Sequence, residues 1–351
     1  MSALAEPRRV INEAIQQRVF PAASVEVGSS ASARWSEAFG TLTFDAGSPS
    51  TTAQTLFDLA SLTKVIATTS LAMDLVARRA LSLEERMGTF FPEWRGKGRD
   101  ETTVADLLEH ASGLPARLVD APPAVRREFE HDICTIRLEY EPRKTSIYSD
   151  LDFILLGFAI ADRGRAPLAS QFDALVSALG LQPLTYAPEG EARRRAAPTS
   201  PLADDSRRGR TLAGEVHDSY AAALGGAAGH AGLFGTASAV GAFARVILDA
   251  LRRGAGADRW AHDVVARFAA RSAVPGSSRA LGWDTMLPSS SCGSRMSTGS
   301  IGHTGFTGTS LWIDPDRDRY FVLLSNRVCE GGTLAQMREV RRAFHDAAAA
   351  I

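Results

Sequence analysis

The segment Phe57-Asp58-Leu59-Ala60-Ser61-Leu62-Thr63-Lys64 places a hydroxyl at the start of an expected helix and an amine three residues later, on the same helical face. A serine hydroxyl is a poor nucleophile until a base takes its proton. A helix N-terminus supplies unpaired backbone N–H groups that stabilise a developing oxyanion. Lys64 lies in an apolar stretch, where burial is expected to lower its pKa toward the range of a useful base. Only three of the 39 basic residues are lysines, Lys64, Lys97 and Lys144, so a lysine in this setting stands out in a chain that otherwise uses arginine. A bare SxxK has an ordinary alternative, in which Ser61 is an N-cap and Lys64 reaches solvent. Three further segments favour chemistry: Thr103 to Pro115 (TVADLLEHASGLP), Tyr148 to Gly157 (YSDLDFILLG) and Ile301 to Gly308 (IGHTGFTG).

Together these segments resemble the serine β-lactamase-related family, with its SxxK, YxN and KTG-like motifs in this order. That family includes class C β-lactamases, D-alanyl-D-alanine carboxypeptidases, D-aminopeptidases and related esterases. The resemblance runs from about Phe20 to Arg327. It implies an α+β fold of the β-lactamase/transpeptidase-like kind, an antiparallel sheet flanked by helices and built from both chain ends, with an inserted all-helical region. The implied division is a discontinuous sheet domain, 1–75 plus 272–351, and a mainly helical domain, 76–271, with the active site at their junction. Carried over residue by residue, Ser61 is the nucleophile, Lys64 its proton-handling neighbour, and Tyr148 the group that shuttles protons to and from Ser61 and the leaving group. A tyrosine, with a reference pKa near ~10, becomes a base only beside cations, which Lys64 offers. The implied oxyanion donors are the backbone N–H groups of Ser61 and Phe306.

Two positions depart from the family pattern. Asp150 stands where asparagine is common, and its carboxylate is expected to hold Lys64 protonated and to repel an anionic substrate group. His303 replaces the third-motif lysine, so a permanent cation becomes a group titrating near ~6.5. His303, Thr304 and Gly305 are expected to line the substrate site. Two further stretches are candidate pocket walls, Gly214 to Asp218 and the glycine-rich Leu224 to Gly235, contributing His217, Asp218 and His230. The spacing of those three matches no zinc motif, so no metal is expected. No apolar strand precedes the glycines, which argues against a phosphate loop. His110 is expected to be a buried, hydrogen-bonded structural histidine.

The elements that must position these groups follow from hydrophobic period. A helix over 6–18, strands over 23–28 and 34–40 forming a hairpin, and a buried helix over 62–79 open the chain. Helical patterns over 103–110, 151–162, 169–179 and 237–253 fill the middle. Strands return over 280–286, 309–313 and 319–325, the last two flanking the turn Asp314-Pro315-Asp316-Arg317-Asp318, before a final helix over 333–349.

At 351 residues, 45% hydrophobic, the chain is long enough for about two domains and a sizeable core. With 39 basic and 40 acidic residues its formal charge is −1, which argues against nucleic acid as a partner. Arg193 to Arg195 and Arg207, Arg208 and Arg210 are expected to form a solvated loop. Three widely spaced cysteines indicate no disulfide framework, and the first thirty residues lack a secretory pattern. The longest apolar run, Phe153 to Ala161, falls short of the ~20 residues that span a bilayer, so a cytoplasmic location without membrane contact is expected. The expected function is hydrolysis of a small ester or amide through a Ser61 acyl-enzyme, without a cofactor. The alternatives are a D-Ala-type carboxypeptidase or β-lactamase, an amidase acting on cell-wall muropeptides, and a non-catalytic ligand-binding protein.

Overall fold

The computed structural model describes residues 3–118, 122–181, 183–253 and 260–351. Its strands are β1 (Ala22–Gly28), β2 (Ala33–Gly40), β3 (Phe57–Asp58), β4 (Leu184–Tyr186), β5 (Leu233–Gly235), β6 (Asp284–Thr285), β7 (Ile301–Thr304), β8 (Ser310–Asp314) and β9 (Arg319–Ser325). Its α-helices are α1 (Ala5–Gln16), α2 (Ser70–Ala77), α3 (Val104–Leu108), α4 (Arg126–Thr135), α5 (Asp150–Gly164), α6 (Leu168–Leu179), α7 (Gly190–Arg194), α8 (Ser219–Ala223), α9 (Ala237–Arg253), α10 (His262–Ala269) and α11 (Leu334–Ala348). The architecture is α+β.

The main sheet has the order β2-β1-β9-β8-β7-β6, with neighbouring strands antiparallel. The two chain ends meet where β1 pairs with β9, Val25 opposite Leu323 and Val27 opposite Phe321. The expected hairpin β1–β2 forms, and the Asp/Pro-rich turn joins β8 to β9 with Asp314 opposite Arg319. A small second sheet, β3-β5-β4, holds the chain just ahead of Ser61.

Every residue of β1 is buried, because helices cover both faces of the sheet. Val25 and Val27 join Trp312, Phe321 and Leu323 in a core closed by Val10 and Ile11 of α1 and Met337 and Phe344 of α11. On the other face, Val322 and Leu324 pack with Val240, Phe243, Ala244 and Ile247 of α9. Burying each such side chain stabilises the fold by about 1.5–3 kcal/mol. The polar alternate Glu26 faces α9 and is paired there, accepting from Tyr320 Oη at 2.7 Å and Arg245 Nη1 at 3.1 Å.

Two expected elements differ in form. The helix over 62–79 widens into a π-helical segment, Lys64–Thr69, before α2, and all six of its residues are buried. The strand expected over 280–286 shrinks to β6, because Ala280 N–H bonds Trp283 O across a turn at Gly282, whose φ is +84°. A side chain there would also strike Thr69 Oγ1. Among the described residues no helix is long and apolar enough to cross a membrane.

Candidate functional site

Ser61 lies between β3 and the helix that begins at Leu62. The preceding residue, Ala60, is held at φ +48°, a left-handed conformation that costs a non-glycine residue energy and needs support. Asp58 supplies it, accepting the Ala60 N–H at 2.8 Å and the His217 N–H at 2.6 Å. Burial pushes the Asp58 carboxyl up to about 6. From the other side, the turn after β7 is fastened to the same stretch: Thr307 Oγ1 donates to Asp58 O at 2.7 Å and Thr309 Oγ1 to Leu59 O at 3.0 Å. Gly305 permits this approach, since a Cβ there would lie 2.7 Å from Leu59 O and 3.2 Å from Ala60 Cβ. Ser61 and Phe306 are thereby carried on two segments fastened to each other. Neither backbone N–H has an acceptor among the described residues.

Two side chains converge on Ser61 Oγ, and a third, Asp150, meets one of them. Tyr148 Oη donates to Ser61 Oγ at 2.7 Å, and Lys64 Nζ donates to it at 3.2 Å. Lys64 is fully buried and also donates to Asp150 Oδ1 at 2.7 Å and His230 O at 3.1 Å. Tyr148 and Asp150 are placed by the entry into α5, where Ser149 N–H bonds His110 Nδ1 at 3.1 Å, Ser149 Oγ donates to Pro115 O at 2.6 Å, and Asp150 N–H donates to Ala116 O at 2.9 Å.

Burial would depress Lys64, but the Asp150 carboxylate prevails and holds its pKa above the ordinary value. This corrects the expectation that desolvation brings Lys64 down, and agrees with the expectation that Asp150 keeps it charged. Burial would likewise raise Asp150, yet the Lys64 ammonium keeps that carboxyl low. Tyr148 is pushed up by burial despite the ammonium whose Nζ lies 4.8 Å from its ring centre. The resting site is therefore a phenol, a serine hydroxyl and an ammonium–carboxylate pair.

A second layer surrounds this pair. Arg117 Nη1 bridges Asp150 Oδ2 at 3.0 Å and Asp218 Oδ2 at 2.9 Å, and its guanidinium lies 4.1 Å from the Tyr220 ring centre. Asp218 Oδ1 also meets His230 Nε2 at 2.7 Å and caps α8 through the Ala221 N–H. The expected trio of His217, Asp218 and His230 thus separates. The latter two pair behind Lys64, whereas the buried His217 ring stacks on Phe306 at 5.6 Å with both ring nitrogens unpartnered. Burial pushes His217 down to about 4, so it is neutral. Among the described residues no group of three or more His, Cys, Asp or Glu side chains is arranged to hold a metal ion.

His303 lies on β7 beside Tyr148, ring centres 5.8 Å apart, with Nδ1 at 2.9 Å from Thr304 O. Burial, reinforced by Arg279 and Lys64, keeps it well below the ordinary histidine value, so it carries no charge at neutral pH. Thr304 ends β7 opposite Ser310. Arg279, which sequence reasoning missed, stands over the Tyr148 ring at 5.2 Å, and its nearest carboxylate, Asp284, is 4.0 Å away. Arg117 and Asp58 were missed as well: Arg117 lies outside the motif segments and meets Asp150 and Asp218 far along the chain, and Asp58, though in the segment that leads to Ser61, braces it partly through the distant His217 N–H. His110 is buried behind Tyr148, ring centres 4.8 Å apart, beside Asp152 at 3.2 Å. The arginine-rich stretch expected as a solvated loop is partly helical, since Arg193 and Arg194 close α7, and it is internally paired: Arg193 and Arg210 contact Glu215, and Arg207 contacts Asp205.

A family model described as Beta-lactamase matches residues 7–345 of the chain. A Salmonella gallinarum protein carrying the provisional name D-alanyl-D-alanine carboxypeptidase is 31% identical over 312 residues, covering 79% of this chain and 70% of its own. Its Escherichia coli (strain K12) counterpart, provisionally named the same way, is 30% identical with the same coverage of each. A class C β-lactamase structure from Rhodobacter sphaeroides superimposes with a TM-score of 0.77 at 21% identity, over 97% of this chain and 98% of that one. The structure of EstCE1, described as a hydrolase with promiscuous acyltransferase activity, gives 0.77 at 17% identity over 98% of each chain. These structures share the β-lactamase/transpeptidase-like fold.

Proposed function

The chain belongs to the Beta-lactamase family, and from that premise we propose that it is a serine hydrolase that opens a small ester or amide through an acyl-enzyme at Ser61. The observation that carries this reading is the convergence of Tyr148 Oη and Lys64 Nζ on Ser61 Oγ, at 2.7 and 3.2 Å. In the resting protein the phenol donates to Ser61, so the competent form is the one that has lost that proton. Ser61 Oγ then attacks the substrate carbonyl as its own proton passes to the Tyr148 phenolate, which the Lys64 ammonium stabilises. The carbonyl oxygen becomes an oxyanion between the N–H groups of Ser61 and Phe306. Collapse expels the alcohol or amine, which takes the proton from Tyr148, and water repeats the sequence to release the acid.

The neutral His303 and the internally balanced Lys64, Asp150, Arg117 and Asp218 favour an uncharged group next to the scissile bond. A second reading, cleavage of a D-alanyl-type carboxy-terminal bond, draws on the names of the relatives and on Arg279, a cation beside Tyr148 that suits a substrate carboxylate. His217, Asp218, His230, Thr304 and Gly305 are on this proposal walls of the substrate site. On the same footing, residues 1–75 with 272–351 form the sheet domain and 76–271 the mainly helical one, of which α9 packs on the sheet. Hydrolysis of short-chain p-nitrophenyl esters, D-amino-acid amides and muropeptides, alongside labelling by fluorescent penicillin, tests the choice. Ester turnover without stable penicillin labelling supports the first reading. Stable labelling at Ser61, rapid drug turnover or preference for D-alanyl peptides supports the second. A Ser61→Ala protein as active as the wild type refutes both.

A further inference from the structure

Two guanidinium groups lie beneath the turn that carries the Phe306 N–H, and neither is paired with a carboxylate among the described residues. Arg341, on α11, donates through Nη2 to Gly305 O at 2.7 Å and to Thr309 O at 2.9 Å. Arg327, just after β9, donates through Nε and Nη2 to Phe306 O at 3.2 and 2.6 Å and through Nη1 to Gly332 O at 2.9 Å. Arg341 is 7% exposed, and its Nε has no partner. Burial, with Arg327 nearby, pushes it down to about 9, which still leaves it a cation at neutral pH.

Burying an unpaired charge is expensive, and a neutral amide donor could satisfy a carbonyl at far lower desolvation cost. The cation therefore calls for something beyond filling lone pairs. Gly305 O and the Phe306 N–H are the two ends of one peptide group, joined by amide resonance. A charged donor on the carbonyl draws electron density from the nitrogen and makes the N–H a stronger donor, as hydrogen-bonded chains polarise one another. The same contact fixes the plane of that peptide, and with it the direction of the N–H.

The geometry points to Arg341 as a positioning residue of the oxyanion hole: a charge delivered from the last helix that orients and polarises the Gly305–Phe306 peptide. This inference rests on the acyl-enzyme reading of Ser61. Its effect falls on the oxyanion, whose charge exceeds that of the ground-state carbonyl, and so on kcat more than on KM.

The test compares Arg341→Gln and Arg341→Lys with the wild type on a p-nitrophenyl ester and the matching thionoester, whose sulfur accepts hydrogen bonds weakly. Arg341→Gln should lose about 10- to 100-fold in kcat on the ester with KM changed by less than about threefold, a fraction of what deleting an oxyanion donor costs. Because the thionoester uses the hole poorly, the ester-to-thionoester rate ratio should fall about tenfold, with Arg341→Lys intermediate. A purely structural role would lower both rates together and leave that ratio unchanged. If Arg341→Gln does not fold, Arg341→Lys decides, since its single, unforked donor must still lower the ratio. A wild-type ratio in whichever variant folds overturns the inference. Fluorophosphonate labelling of the wild-type protein at Ser61 is read separately, and its absence would overturn the acyl-enzyme reading itself, whatever Arg341 does.

Discussion

Replacing Asp150 by asparagine should shift the pH dependence of hydrolysis toward acid. Asp150 Oδ1 lies 2.7 Å from Lys64 Nζ, and Lys64 is 3.2 Å from the same Ser61 Oγ that Tyr148 contacts at 2.7 Å. The carboxylate therefore opposes loss of the proton shared among Ser61, Tyr148 and Lys64, whichever group holds it. At an effective dielectric of about 20, a unit charge acting over about 7 Å contributes about 2.4 kcal/mol, which sets the scale of the effect. Arg117, 3.0 Å from the other carboxylate oxygen, offsets part of this. The net shift should be about one unit or somewhat more. In the wild type, the phenol sits above its ordinary value. Log kcat/KM on a p-nitrophenyl ester should thus climb with a slope near one through neutral and mildly alkaline pH without reaching a plateau. In Asp150→Asn the bend to the plateau should come about one unit lower in pH than in the wild type, and that bend, not the height of the limb, is the quantity read. Profiles that superimpose, or a bend at or above the wild-type pH, would refute the electrostatic reasoning.

Gly305→Ala should separate the two oxyanion donors, because the new methyl would lie 2.7 Å from Leu59 O and would strike Thr309 Oγ1. Loss of one donor's geometry predicts about a 100-fold fall in kcat, measured beside a circular-dichroism spectrum that stays native. Asp58 makes a pH-dependent contribution to stability. Its folded pKa of about 6 lies above the ordinary value, so the folded state binds that proton more tightly, and the stability it lends is lost as pH rises from the ordinary carboxyl value to about 6. That loss approaches ~3 kcal/mol above pH 7 and is absent below about pH 4. The stability deficit of Asp58→Asn in urea titrations should therefore shrink as pH rises from 5 to 8, and a deficit that grows with pH would contradict it.

Contiguity decided what could be read from the chain. Ser61 and Lys64 share one turn of helix, so their proximity was legible from spacing, whereas the role expected of Tyr148 came only from the resemblance of its segment to a family motif. The β8–β9 turn and the amphipathic α11 were equally legible, because period and turn residues are local signals. The ionisation of Lys64 was only half legible. Local burial argued for a lowered pKa, while its actual partners, Asp150 and through it Arg117, come from segments far along the chain. His217 and Asp218 are neighbours in sequence but face different partners, one stacked on Phe306 and the other paired with His230, a separation that no spacing rule predicts. Arg341 sits among several arginines of α11, and nothing in that pattern distinguishes the one that reaches Gly305.

Intact-protein mass spectrometry of the chain quenched during turnover of a p-nitrophenyl ester bears most directly on acyl-enzyme chemistry at Ser61. A mass increase of one acyl group per chain, mapped by peptide digestion to Ser61 and absent from Ser61→Ala, is the predicted result. Undiminished ester turnover by Ser61→Ala, or an adduct that maps to another residue, would contradict it.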